Sequence, residues 1–157
     1  MSQPTSAFES GRYRIDALAV APGGEHVALA ASALTGDVWD GRLHVLPAAA
    51  LPGAVAPSDA CTIATRCGNA DVAWASARVL VSANDFGDLL FWNAPTAPAT
   101  DDAPPAEPVR VLGEHAGVVG CVRASADGET LASGSHDGTA RVWRTNAVAP
   151  ESLRTLS

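Results

Sequence analysis

Apolar and polar residues alternate along this chain in short runs separated by Gly, Asp, Asn and Ser, the pattern of β-strands with one face buried. The alternation predicts strands at 15–21, 27–31 and 43–46, then at 62–65, 71–74, 79–83 and 89–92. A further set falls at 109–112, 118–123, 130–135 and 139–143, and the run 152–157 repeats the pattern of 109–112. The expected fold class is all-β.

The runs are copies of one unit. Residues 113–143 open on a turn holding His115 and close on Trp143, with alternating apolar runs between. That layout is a WD-repeat unit, which implies the four-stranded blade of a β-propeller. Moved back by 51 residues, the unit lays Gly138 on Gly87, Ser133 on Ser82 and Trp143 on Trp92. At an offset of 46, Gly41 and Leu46 fall on Gly87 and Trp92 and define a third copy. The excess over the roughly 40–45 residues usual for such blades lies in two Pro/Ala-rich connectors, 47–59 and 94–108. Both should be loops; the prolines of the second should keep it extended and mobile, and Asp101, Asp102 and Glu107 make it acidic. The expected division is a tail at 1–11, blade one at 12–47, blade two at 60–93, the connector at 94–108, blade three at 109–146 and, at 152–157, the opening strand of a next blade. Such a partial propeller, about three four-stranded blades plus the first strand of a fourth, should leave apolar surface uncovered at both ends.

Composition narrows the function. With 47% apolar and 17% charged residues over 157 positions, the chain suits one globular domain. Seventeen acidic residues face ten basic ones, all arginine, for a net charge of −7. A nucleic-acid binder needs a basic face; an acidic surface instead favours basic partners such as arginine-rich tails. The longest apolar stretch, 47–57, is interrupted by prolines and falls short of the roughly 20 residues that span a bilayer. With no leader pattern in the first ten residues, the expectation is a soluble protein of cytoplasm and nucleus, with no membrane contact. Cys61, Cys67 and Cys121 lack metal or disulfide spacing and should be reduced, mostly buried thiols. No cofactor or metal site is expected.

His115, Asp137 and either Ser133 or Ser135 have the composition of a hydrolase triad. The serines lie in no Gly-x-Ser-x-Gly elbow, however, and the spacing from His115 through Asp137 to Trp143 is that of the hydrogen-bonded network that ties a WD blade together. We therefore expect a structural tetrad and no enzyme. Spacing alone leaves open which serine joins it, and a hydrolase using His115 and Asp137 is the competing reading. Phe86 stands where Asp137 would align, and Leu46 stands in the Trp position, so blades one and two should depend on apolar packing. Trp74, Trp92 and Trp143 are expected in the core, and His26, His44 and His136 carry no ligand spacing.

Trp39 differs from the other tryptophans. It sits in the second-to-third strand connection of blade one, which reads as an insertion of several residues placing one large aromatic between acids. Either Trp39 folds back over the blade edge, or it is an interface anchor, Trp being the residue most enriched at binding hot spots.

The order of Arg12-Tyr13-Arg14, the insertion Leu34-Thr35-Gly36-Asp37-Val38-Trp39-Asp40-Gly41, the run ending at Trp74 and the run ending at Trp92 resembles the opening blades of the methylosome protein 50 family. Its members are seven-bladed WD-repeat partners of the type II protein arginine methyltransferase, which makes symmetric dimethylarginine. The resemblance implies a non-catalytic scaffold that helps bind and present arginine-rich substrates, histones and splicing proteins among them. It also implies that Trp39, with Leu34, Thr35, Asp37 and Val38 around it, docks into the methyltransferase. A WD-repeat scaffold with unrelated protein partners is the alternative.

Overall fold

The structure, a computed structural model, describes residues 13–50, 60–95, 106–145 and 152–156. Twelve strands run in order: β1 (Arg14–Val20), β2 (His26–Thr35), β3 (Val38–Pro47), β4 (Cys61–Thr65), β5 (Asn69–Ser76), β6 (Val79–Asn84), β7 (Asp88–Asn93), β8 (Arg110–Gly113), β9 (Val119–Ala124), β10 (Thr130–Ser135), β11 (Ala140–Arg144) and β12 (Ser152–Leu156). A 3-10 turn at Ala48–Ala50 follows β3. The strands form three antiparallel four-stranded sheets in simple up-and-down order, β1 to β4, β5 to β8 and β9 to β12. This is the architecture of a partial β-propeller.

Sheets and sequence units are offset by one strand. β4 and β8, expected to open blades two and three, instead pair with β3 and β7 and complete the sheets before them. β12, expected to open a next blade, pairs with β11 as the outer strand of the third sheet. Alternation locates a strand and its buried face but carries nothing about which edge the backbone N–H and C=O groups bond to. The expected tail at 1–11 and most of both connectors lie outside the described residues.

Two apolar cores lie between the sheets. The first joins Ala28, Ala30, Leu43 and Val45 of sheet one to Trp74, Leu80 and Trp92 of sheet two. Alanines at β2 positions facing the two indoles explain why an Ala-rich run is a strand here: small residues opposite large ones let the sheets close, and packing overrides alanine's helix preference. The second core joins Val81, Leu89, Phe91 and Leu112 of sheet two to Val122, Leu131 and Trp143 of sheet three. All three expected core tryptophans are buried. On the other side of sheet one, β1 leaves Ile15, Leu18 and Val20 exposed.

Polar ties fix the sheets to each other where β1, β5 and β9 pack in succession. The Trp74 indole donates to Ala19 O at 3.0 Å, linking sheets one and two. Asp71, buried on β5, accepts from Val122 N at 2.9 Å and from the Arg123 guanidinium on β9. Gly87, at φ 93°, brings the β6–β7 turn against the loop before β9 so closely that a Cβ would overlap His115 O. No other residue fits both that backbone angle and that approach.

The cysteines depart from expectation. Only Cys67 is buried, Cys61 is half-buried and Cys121 is exposed. Cys121 precedes Val122 on β9, and successive strand residues face opposite ways. Val122 enters the second core, so Cys121 points to the other face of sheet three.

Candidate functional site

In the third sheet, the candidate residues around His115 meet in one network. Trp143 Nε1–H donates to Ser133 Oγ at 2.8 Å. Ser133 Oγ lies 2.8 Å from His115 Nε2, and His115 Nδ1 lies 3.0 Å from Asp137 Oδ2. One set of directions satisfies every member: indole to hydroxyl, hydroxyl to Nε2, and Nδ1–H to the carboxylate. The imidazole also stands edge-on to the indole, with ring centroids 6.1 Å apart. Asp137 gathers Ala116 N at 2.9 Å, Thr139 N at 2.8 Å and the Thr139 hydroxyl at 2.7 Å. These donors, the Thr139 hydroxyl foremost, hold its carboxyl well below the usual carboxylate range.

The open choice of serine is resolved by these contacts. Ser133 is the member, and Ser135 instead accepts from Asp137 N at 3.1 Å while its hydroxyl lies within bonding distance of Gly117 O and Val118 O. It thus shapes the turn that carries Asp137.

The serine, imidazole and carboxylate are spaced as in a catalytic triad, so burial must separate the two roles. The His115 side chain is 0% exposed, Ser133 is buried and Trp143 is 0% exposed. A nucleophile must face a space that a substrate can enter. Here the space beside the hydroxyl is filled by the indole that donates to it. The network therefore ties β10, β11 and the loop before β9 into one unit.

The second sheet keeps part of this arrangement. Trp92 Nε1 donates to Ser82 Oγ at 3.0 Å, again across ten residues. Its β6–β7 turn is held by Asn84, whose Oδ1 accepts from both Phe86 N and Asp88 N at 2.9 Å. Phe86 is left 73% exposed. Asn84, Asp71 and Thr139 were not candidates in the sequence. For Asn84 and Asp71, a lone amide or carboxylate within an apolar strand pattern was the available signal.

In the first sheet, the expected several-residue insertion is a continuation of the sheet. β2 and β3 pair residue for residue out to Thr35↔Val38. Only Gly36 and Asp37 form the turn, with Gly36 at φ 62°, the left-handed angle that two-residue hairpin turns require. Trp39 is thus a strand residue directly across from Leu34, and the two are 48% and 57% exposed. Cross-strand neighbours sit about 4.5–5.5 Å apart at Cβ, so they form one apolar patch on a rigid hairpin. Asp37 is exposed at the tip. Asp40, next to Trp39, accepts the Tyr13 hydroxyl at 2.7 and 2.9 Å, and Arg42 lies 4.7 Å over the Tyr13 ring. Burial first, and the bond to Asp40 second, raise the Tyr13 pKa.

His44 is a core histidine that the sequence did not single out. It is buried on β3 with Nδ1 2.9 Å from Thr62 Oγ1. Burial, aided by the Arg42 charge, pushes its pKa down to about 4. Among the described residues, no group of three His, Cys, Asp or Glu is placed to hold a metal ion, and no helix is long and apolar enough to cross a membrane.

The sheets and the network define an all-β, WD-like fold. Residues 106–144 match the family described as WD domain, G-beta repeat. That span runs from just before β8 to the end of β11 and contains the complete network. A WD repeat points to a protein-interaction scaffold, a class that is generally non-catalytic. No curated protein sequence matches the chain.

Proposed function

We propose that this chain is the adaptor of a symmetric-dimethylating, type II protein arginine methyltransferase, a non-catalytic scaffold that helps bind and present arginine-rich substrates such as histones and splicing proteins. The observation that carries the reading is the blade-one hairpin. Trp39 and Leu34 stand exposed side by side at the end of a paired ladder, and neither is part of an inter-sheet core. Trp on a rigid support loses little conformational freedom on docking and is the residue type most enriched at hot spots. The Leu-Thr-Gly-x-x-Trp-x-Gly pattern around it is the most specific part of the resemblance to the methylosome protein 50 family. The net charge of −7 suits basic substrate tails. In this reading the chain works in cytoplasm and nucleus, without direct contact to nucleic acid or membrane.

The test is titration of this chain against the purified type II methyltransferase, with Trp39→Ala alongside. The expected result is binding by the unaltered chain and a loss of more than about 2 kcal/mol, roughly 30-fold in Kd, in the variant. An unchanged Kd refutes the docking role. A folded chain that does not bind the methyltransferase at all leaves the alternative, a WD-repeat scaffold with unrelated protein partners.

A further inference from the structure

Three features stand apart from the hydrogen-bonded network: the exposed apolar face of β1, the far face of sheet three around Cys121, and the β6–β7 turn with Phe86. The third carries an inference, because the residues around it define what would bind.

The Phe86 ring makes none of the hydrogen bonds that hold the turn presenting it. The turn is held through its backbone, by Asn84 Oδ1 accepting from Phe86 N and Asp88 N, while the ring is 73% exposed. At the equivalent position of the third sheet, Asp137 is tied to Ala116, Thr139 and His115. An aromatic at a solvent-facing turn, freed from the structural duty of its counterpart, is available for contact.

The turn also lies beside the blade-one hairpin. Both are second-to-third strand turns of adjacent sheets. A Cβ built on Gly68 would lie 2.6 Å from Asp85 Oδ2 and 3.7 Å from Ser32 Cβ, so the two elements meet across that glycine. The Ser32 hydroxyl donates in turn to Asp16. The charges at this junction are unbalanced. Asp85, at the junction, and Asp37, at the hairpin tip beyond it, make no ion pair among the described residues. The arginines nearby are engaged: Arg14 with Asp16 at 2.8 Å, Arg66 with Glu107 at 2.7 Å, and Arg42 over Tyr13. Burial, and the neighbouring Asp16 charge after it, raise the Asp85 pKa, an environment that a cation beside it would relieve.

We propose that Phe86 and Asp85 extend the Trp39–Leu34 patch into a docking surface spanning two blades, whose partner presents an apolar socket for the ring rimmed by Arg or Lys side chains that face Asp85 and Asp37. The proposal rests on the docking role assigned to Trp39 and specifies the partner face that meets it. The surface pairs apolar anchors with an acidic rim, which gives affinity through the rings and on-rate through the charges.

The probe is the purified type II methyltransferase, titrated against the chain and its Phe86→Ala, Asp85→Asn, Trp39→Ala and Phe86→Ala/Trp39→Ala variants. Phe86→Ala should weaken binding by about tenfold or more with the melting temperature almost unchanged, since the residue is largely exposed and belongs to neither core. Asp85→Asn should weaken it less and reduce its salt dependence. If Trp39→Ala loses binding while Phe86→Ala keeps it, the two-blade surface is refuted and the docking role of Trp39 stands. If Phe86→Ala loses binding while Asp85→Asn leaves both affinity and salt dependence unchanged, the basic rim is refuted. If the unaltered chain does not bind, the adaptor reading and this extension both fail.

Discussion

Replacing Ser133 with Ala removes one oxygen and breaks the network at its middle. In the folded chain that oxygen accepts from Trp143 Nε1 and serves His115 Nε2, each at 2.8 Å, and all three groups are buried. Without it, one indole donor and one imidazole nitrogen lose their partner away from water, at about 1–3 kcal/mol each. The expected cost is therefore about 3 kcal/mol. Ser82→Ala supplies the internal control. It deletes the same oxygen from an equally buried site of the second sheet, where the indole of Trp92 at 3.0 Å is the partner that loses its acceptor. Transfer and cavity contributions are the same for the two changes, so the difference isolates the imidazole. Ser82→Ala should cost about half as much as Ser133→Ala. The assay is urea unfolding followed by tryptophan fluorescence and far-ultraviolet circular dichroism, comparing midpoints at a common slope. A Ser82→Ala cost equal to or above that of Ser133→Ala refutes the network's assigned role. So does a Ser133→Ala variant that keeps its midpoint and loses a hydrolytic activity, since that is the behaviour of a nucleophile.

Two further predictions concern the inter-sheet packing and pH. Gly87→Ala adds a Cβ at φ 93° into His115 O, whereas Gly36→Ala adds one at φ 62° with no atom within 4 Å; the first should cost about 3 kcal/mol and the second about 1, and equal losses of melting temperature would show that the Gly87 turn does not lock the two sheets. His44, with its pKa pushed down to about 4, stays neutral in the fold while the unfolded chain takes up a proton near pH 6.5. Its contribution is therefore complete above about pH 6.5 and falls away towards pH 4, by at most about 3 kcal/mol. His44→Gln should lack that part of the pH slope in chemical unfolding, and parallel profiles for variant and unaltered chain would refute the assignment.

Much of the fold was legible because strand alternation is a local signal. The 130–135 run coincides with β10, and most other strands agree within two residues at each end. Blade one failed for a physical reason. Ala30-Ala31-Ser32-Ala33 has no large residue to mark a face, and Asp40-Gly41 reads as a turn, so two ten-residue strands looked like short ones joined by a loop. The real turn, Gly36-Asp37, was visible only as a glycine before an acid. The choice between Ser133 and Ser135 was undetermined by alternation, because both share the parity of Leu131. The ten-residue spacing repeated by Ser82 and Trp92 held the answer. His44 could not have been found this way, since its neighbours Leu43, Val45 and Leu46 are buried as well.

The three sheets meet the same mechanical demand with different chemistry, and the difference determines where the chain can carry binding residues. In the third sheet, Asp137 must reach an imidazole, a threonine hydroxyl and two backbone N–H groups at once. A residue so committed cannot be exchanged for an aromatic without leaving buried groups unpaired. In the second sheet, Asn84 takes over the turn's N–H groups from two residues upstream, and the Asp137 position becomes free to hold Phe86. In the first sheet, Leu46 replaces the indole, and the ladder itself continues outward past the point where the network would close it, ending in Trp39 opposite Leu34. As the polar network thins from the third sheet to the first, apolar residues appear at the turns it no longer occupies. Restoring the network where it is absent should therefore oppose binding: placing an acid at Phe86 gains no imidazole to pair with, because the loop before β5, Arg66-Cys67-Gly68, holds no histidine, and adds only another unpaired charge beside Asp85.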